Sequence, residues 1–522
     1  MVSLLQKMRM AHLPDVPQQL RNLPHLALHT IPKQLSLSEP IKKRFPCTCS
    51  LNAQAIEGGE SKQSRKLKVG VLFSGGQAAG GHNVLSGLFD GLRQLHSGCQ
   101  LIGFMNGPAG LIDGNMQELT ASMIDSIRNL GGFDLIGSGR TKIETPEQFH
   151  AAARCATDHR LDAIVVIGGD DSNTNAALLA EYFLQNKVPT SVIGVPKTID
   201  GDLRSADIEI SFGFDSAAKT YSELIGNIAR DAISAKKYYH FIKLMGRSAS
   251  HIALECALAT HPNLALIGEE KQSLSQIVAD IADLITNRKK EGKEYGIILL
   301  PEGLVEFVPE FKELIAACNH LLSSGKEPQK IKELLHEPHR LFFSSLPEKI
   351  QQQLVLERDP HGNVQVSQIE TELLILDLVK RELNQRNIKF HALNHFFGYE
   401  GRACYPSNFD ANYCYSLGLF AALAARDSAT GVILAIKNLH RPVHEWVPKA
   451  VPIVQLMGFE MRSGKEKPVI AKALVDLQGQ AYRHFALQRK RWRLEDDYQM
   501  PGPIQFLGPS ELIDSVPISL SL

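Results

Sequence analysis

The sequence predicts an α/β protein of two doubly wound parallel-sheet domains, with a helical insertion and terminal extensions. Three observations predict it. Short runs of Val, Ile and Leu recur, as in strands buried on both faces. Amphipathic stretches with apolar residues three and four apart separate them, as in covering helices. The alternation runs from Leu67 to Pro301, which is long enough for two sheets rather than one.

Residues 1–66 read as an irregular arm. Prolines recur there (Pro14, Pro17, Pro24, Pro32, Pro40, Pro46), and a polar stretch from Glu57 to Arg65 closes it. Strands are then expected at 67–73 (LKVGVLF), 101–104, 161–169, 191–195, 241–245, 264–268 and 295–301. The clearest helix is 214–233, where Phe214, Ala218, Tyr221, Ile225, Ile228 and Ala232 share one face. Residues 304–387 break the rhythm and read as a charged helical insertion with a turn, DPHGN, at 359–363. Strand character resumes at 388–393 (IKFHAL), and a helix follows from Phe409 to Ala425. The expected domains are therefore 67–235, then 236–303 joined by 388–440, with 441–522 as a C-terminal extension.

Composition excludes several classes. Among 522 residues, 56 Lys+Arg balance 56 Asp+Glu, so global charge offers nothing to nucleic acid or a membrane surface. No apolar run reaches the 18 residues of a membrane span. The opening MVSLLQKMRMAHLPD lacks the apolar core of a secretory signal. Eight scattered cysteines without a CxxC read as free thiols, so a cytoplasmic protein is expected.

The chemistry lies in loops that follow strands, where open α/β sheets bind ligands. SGGQAAGGHN (74–83) is a strand-to-helix turn with four glycines, whose N–H groups can approach an anion. It is neither a Walker loop nor a dinucleotide fingerprint, and an empty tight turn would use the same glycines. GGDDSNT (168–174) sets Asp170 beside Asp171, a repulsion that a divalent cation relieves. The bland alternative is that Asp171 or Ser172 caps the next helix. PKTIDGD (196–202) places Asp200 and Asp202 beside Lys197 and Thr198. One carboxylate can act as base, the other can orient it, and the lysine can neutralise phosphate. Met245-Gly246-Arg247, Pro301-Glu302-Gly303 and Tyr399-Glu400-Gly401-Arg402 add a guanidinium fork for phosphate and a glutamate for sugar hydroxyls. Together these loops suit phosphoryl transfer.

In their order and spacing, GGQAAGGHN, GSGRTKI, GGDDSNT, PKTIDGD, MGR, PEG and YEGR resemble the phosphofructokinase family, specifically its long, pyrophosphate-dependent branch. The resemblance covers about residues 67–510. It implies a phosphofructokinase-like fold and Mg²⁺-dependent transfer from pyrophosphate to fructose 6-phosphate. Asp200 would be the base, with Asp202 assisting and Asp170 on Mg²⁺. Gly75, Gly76, Arg140, Asp171 and Lys197 would surround the pyrophosphate. Thr198, Met245, Gly246, Arg247, Glu302, Tyr399 and Arg402 would hold the sugar phosphate. Lys236 or Lys237 would reach across the interface of a homodimer. ATP-using relatives carry glycine in place of Asp171 and Lys197, so the resemblance favours pyrophosphate. The family's usual proline in the first loop is Ala79 here.

The rivals are an ATP-dependent 6-phosphofructokinase and a catalytically silent regulatory subunit. Intact Asp200, Asp202 and Lys197 speak against the second. NAD and lipid kinases share a GGD segment but lack PKTIDGD and MGR. His391 and His395 sit in strand-like context without further metal ligands. The RKRWR run (489–493), followed at once by acids, reads as a solvated helix face rather than a nucleic-acid patch.

Overall fold

A computed structural model describes residues 2–32, 37–59, 65–355, 368–462 and 465–522. The DPHGN turn and most of the polar stretch before Arg65 lie outside the described residues.

Two sheets organise the chain. The larger has ten strands, and its centre is parallel: Val432–Lys437, Ser191–Pro196, Ala163–Gly168, Lys68–Ser74 and Gln100–Phe104, side by side in that order. These strands are buried on both faces because both sets of alternating side chains are apolar. Val69, Val71 and Phe73 join one core, while Leu72 joins another with Ile164 and Val166. Gly81–Leu95 and Asn408–Arg426 cover one face and contact each other along their length.

Antiparallel strands flank that centre. Met116–Glu118 closes one side, and Val447–Pro452 adds to the other. A hairpin of Leu26–Thr30 and Gln54–Gly58 then pairs with Val447–Pro452 through Gln54 and Ala55. Residues 1–66 are thus not irregular throughout. Each strand there is five residues long and partly exposed, so no sustained apolar run marks it between the prolines.

The smaller sheet is parallel, in the order Leu264–Ala265, Tyr295–Pro301, Tyr238–Leu244, Ala392–Phe397. One face packs on Phe214–Ala235 and His251–Thr260. The other carries the helical insertion, where Phe311, Leu314, Phe343, Ile375 and Leu383 share a core with Phe241, Ile298 and Leu300. A buried pair, Lys243 with Glu372 at 3.0 Å, ties the insertion to the strand that leads into Met245.

Two readings move. The strand expected at 388–393 runs from Ala392 to Phe397. Ile388 and Phe390 imitate strand residues because they pack on the insertion core ahead of the ladder. The segment 432–437, read with the second domain, lies in the large sheet beside Ser191–Pro196. Its buried apolar run suits either sheet, and periodicity carries no pairing information. The charges of the RKRWR run pair at the surface: Arg489 reaches Glu270, Arg491 reaches Asp497, and Arg493 grips Asp280.

Candidate active site

The carboxyl ends of the two sheets' parallel strands line a common cleft, with four loops from the large sheet and three from the small one. It holds two adjoining cavities. The first is lined by Gly75, Gly76, Arg140, Asp170, Asp171, Lys197, Thr198, Asp200, Asp202 and Arg247. The second is lined by Gly76, Arg140, Lys197, Thr198, Asp200, Met245, Arg247, Glu302, Tyr399 and Arg402. Six of these residues, Gly76, Arg140, Lys197, Thr198, Asp200 and Arg247, face both.

Local geometry explains each placement. Gly75 has φ +86°, a conformation that favours glycine, and its N–H donates to the Gly139 carbonyl at 2.9 Å. That bond joins the first loop to the GSGR segment and Arg140. Lys197 lies beneath the loop, buried, and its Nζ donates to the Gly76 carbonyl at 2.6 Å. Burial lowers its pKa to about 8, with Asp200 partly offsetting this. Arg402 stacks over the Tyr399 ring at 4.5 Å, with a terminal nitrogen close to Gly76. The YEGR arginine therefore reaches from the small sheet to the large sheet's first loop. Burial lowers its pKa, and neighbouring Arg140 adds to this. Two crowded guanidiniums favour an anion between them.

The carboxylates crowd equally. Burial, then Asp200 and Asp170, push the Asp202 carboxyl well up. Asp171 faces Lys142 at 3.8 Å. Neither Asp171 nor Ser172 caps the helix Asp170–Gln185; Gly169 holds that position, and the Ser172 hydroxyl donates to Ser74 Oγ. Glu302 is almost wholly buried, and burial raises its pKa to about 7. One of its oxygens accepts the Gly246 N–H at 2.8 Å, while the other is buried without a partner among the described residues. That orphaned acceptor lies on the second cavity, where a hydroxyl donor would satisfy it.

Gly246 lines neither cavity and acts through this bond to Glu302. Lys237 is not in the cleft. It flanks the amino end of Tyr238–Leu244, roughly 23 Å from the Met245 end at strand rise, in a pocket with Lys289, Lys293 and Lys389. His395 hydrogen-bonds the His240 ring at 2.9 Å.

The first cavity also contains Lys142, Ser248, Glu306 and Lys472, which sequence reasoning missed. Lys142, Ser248 and Glu306 lie within five residues of the recognised motifs. Lys472 had no such signal, because it comes from the C-terminal extension. Burial opposes its charge, yet Asp170 and Asp202 outweigh burial and raise its pKa.

Phosphotransferases are the class this arrangement defines, since it sets clustered carboxylates against cations over glycine turns where two cavities meet. Comparison with known proteins agrees. A family model described as phosphofructokinase matches residues 68–425. Over the whole chain, it is 48% identical to pyrophosphate–fructose 6-phosphate 1-phosphotransferase of Treponema pallidum (strain Nichols), covering 97% of that protein. Identity to the Porphyromonas gingivalis protein of the same name is also 48%, over 100% of this chain and 98% of that one. A solved pyrophosphate-dependent phosphofructokinase from Nitrosospira multiformis shares the fold, with TM-score 0.57 at 16% identity over 83% of this chain and 93% of that one. The chain belongs to the phosphofructokinase family.

Proposed function

We propose that this chain transfers a phosphoryl group reversibly from pyrophosphate to the 1-hydroxyl of fructose 6-phosphate, giving fructose 1,6-bisphosphate and phosphate. One observation carries the reading: two adjoining cavities share a boundary, and Asp200 stands on it with three cations, Arg140, Lys197 and Arg247. The cavity with Asp170 and Asp171 takes the donor. The cavity with Glu302, Tyr399 and Arg402 takes the sugar phosphate.

Asp200 removes the proton from the 1-hydroxyl, and Asp202 keeps it oriented. Lys197, Arg140 and Arg247 meet the charge that develops on the moving group. Arg402 holds the sugar phosphate, and the open oxygen of Glu302 accepts a sugar hydroxyl. Asp171 narrows the donor cavity against a nucleotide, and Lys197 matches the dense charge of pyrophosphate. The donor set suits Mg²⁺, because Asp170, Asp171, Asp200 and Asp202 line one cavity and offer oxygen ligands to a hard cation. Asp170 would hold that ion, which neutralises phosphate charge when bound.

We assign donor binding to the large-sheet domain and most sugar-phosphate contacts to the small-sheet domain. The assembly we assign is a cytoplasmic homodimer, with Lys237 directed to the neighbouring subunit. Positive φ at Lys236 and Tyr238 (51° and 70°) supports a turn built to present that lysine.

The deciding experiment is the initial rate of fructose 1,6-bisphosphate formation with Mg²⁺ and either pyrophosphate or ATP. Turnover with pyrophosphate alone is expected. Turnover with ATP alone would overturn the roles of Asp171 and Lys197, and turnover with neither would favour a silent subunit.

Glu302 supplies a second test. Its carboxyl titrates near 7, so it becomes the better acceptor above that pH. The KM for fructose 6-phosphate should fall as pH rises through about 7. Glu302→Gln should remove that inflection, and an unchanged profile would assign it to another group.

A further inference from the structure

We propose that Lys472, delivered by the C-terminal extension, is a pyrophosphate-binding residue of the donor cavity. This rests on the donor assignment above and deepens it. The Lys472 ammonium has three N–H donors. It donates a hydrogen bond to Ser248 Oγ at 2.7 Å and lines the donor cavity, where Asp170 and Asp202 act on its charge. Its other donors can serve a ligand in that cavity, which Asp170, Asp171 and Arg247 also line.

The backbone that carries Lys472 is held on both sides. Ile470 N–H donates to Thr174 Oγ1 at 3.1 Å, on the helix behind the paired aspartates. Ala473 N–H donates to the Asp202 carbonyl at 2.7 Å. The Ala473 carbonyl accepts from His251 Nε2 at 2.9 Å, and Val475 N–H donates to Glu269 at 2.9 Å. These four anchors fix residues 470–475 across the junction between the two sheets, with Lys472 at the cavity. Lys197, from the PKTIDGD loop, enters against the first glycine loop, and Lys472 enters from the Ser248 side. Two cations on different walls suit a ligand with charge at both ends, such as pyrophosphate.

The test uses the full-length enzyme, with Lys472→Met and Lys472→Gln compared with wild type. Steady-state KM is measured for pyrophosphate and fructose 6-phosphate, and binding of imidodiphosphate with Mg²⁺ is measured by calorimetry. Loss of a charged hydrogen bond should raise the imidodiphosphate Kd and the pyrophosphate KM by ~10–100-fold, with the KM for fructose 6-phosphate within ~2-fold. Lys472→Gln keeps a neutral donor and should fall between wild type and Lys472→Met. Pyrophosphate affinity within ~2-fold of wild type in both variants would overturn the proposal. So would parallel shifts in both KM values, which would mark Lys472 as scaffold. If wild type itself fails to use pyrophosphate, the donor assignment falls and this inference with it. A normal wild type with unshifted variants removes this inference alone.

Discussion

Asp200→Ser should cut turnover with pyrophosphate by at least ~10²-fold, the lower end of what losing a general base costs. The serine keeps a small polar side chain but cannot accept a proton at neutral pH. Position supports the effect, because Asp200 faces both cavities at the boundary where donor and acceptor would meet. Its backbone N–H donates to Thr198 Oγ1 at 3.1 Å, so the loop should survive the change. Both KM values should therefore move little while kcat collapses. Near-normal kcat in the purified variant would remove Asp200 from its role.

Gly303→Ala should be comparably severe for a different reason. Gly303 has an ordinary φ of −77°, so alanine strains no dihedral. Its added Cβ, however, would stand 1.9 Å from the Arg247 carbonyl oxygen. The two backbones would have to part by roughly an ångström, a misplacement that typically costs ~10² in rate. Arg247 faces both cavities, so kcat/KM should drop for pyrophosphate and fructose 6-phosphate together. Steady-state kinetics with each substrate varied in turn would check this. Near-wild-type values for both would show that the turn relaxes without moving Arg247.

The site was largely legible because its residues follow buried strands directly. Asp170, Lys197, Asp200, Arg247 and Glu302 all lie within six residues of a strand's carboxyl end, and such ends converge in an open α/β sheet. Lys472 follows a short hairpin, and the partners of residues 470–473, Thr174, Ser248 and Asp202, are hundreds of positions away. Nothing local to residues 470–475 encodes those contacts. The same holds for Val432–Lys437, whose composition states that it is buried but not which sheet receives it. Lys237 illustrates the converse: its charge and place before a strand were visible, but the wrong end of that strand faces the cleft.

The late return of residues 432–452 to the large sheet has a consequence for biosynthesis. A nascent chain that has emerged only to residue 430 holds every strand from Lys68 to Pro196, but Ser191–Pro196 lacks its neighbour on one side. The amino-terminal hairpin, made first, can dock on the sheet only when Val447–Pro452 arrives. Until then an apolar parallel strand stands open at an edge, the kind of surface that invites association between unfinished chains. Pairings this distant in sequence also form slowly. Emergence of residues 432–452, rather than the early appearance of the glycine loops, therefore sets when this fold can close and when chaperone protection matters most.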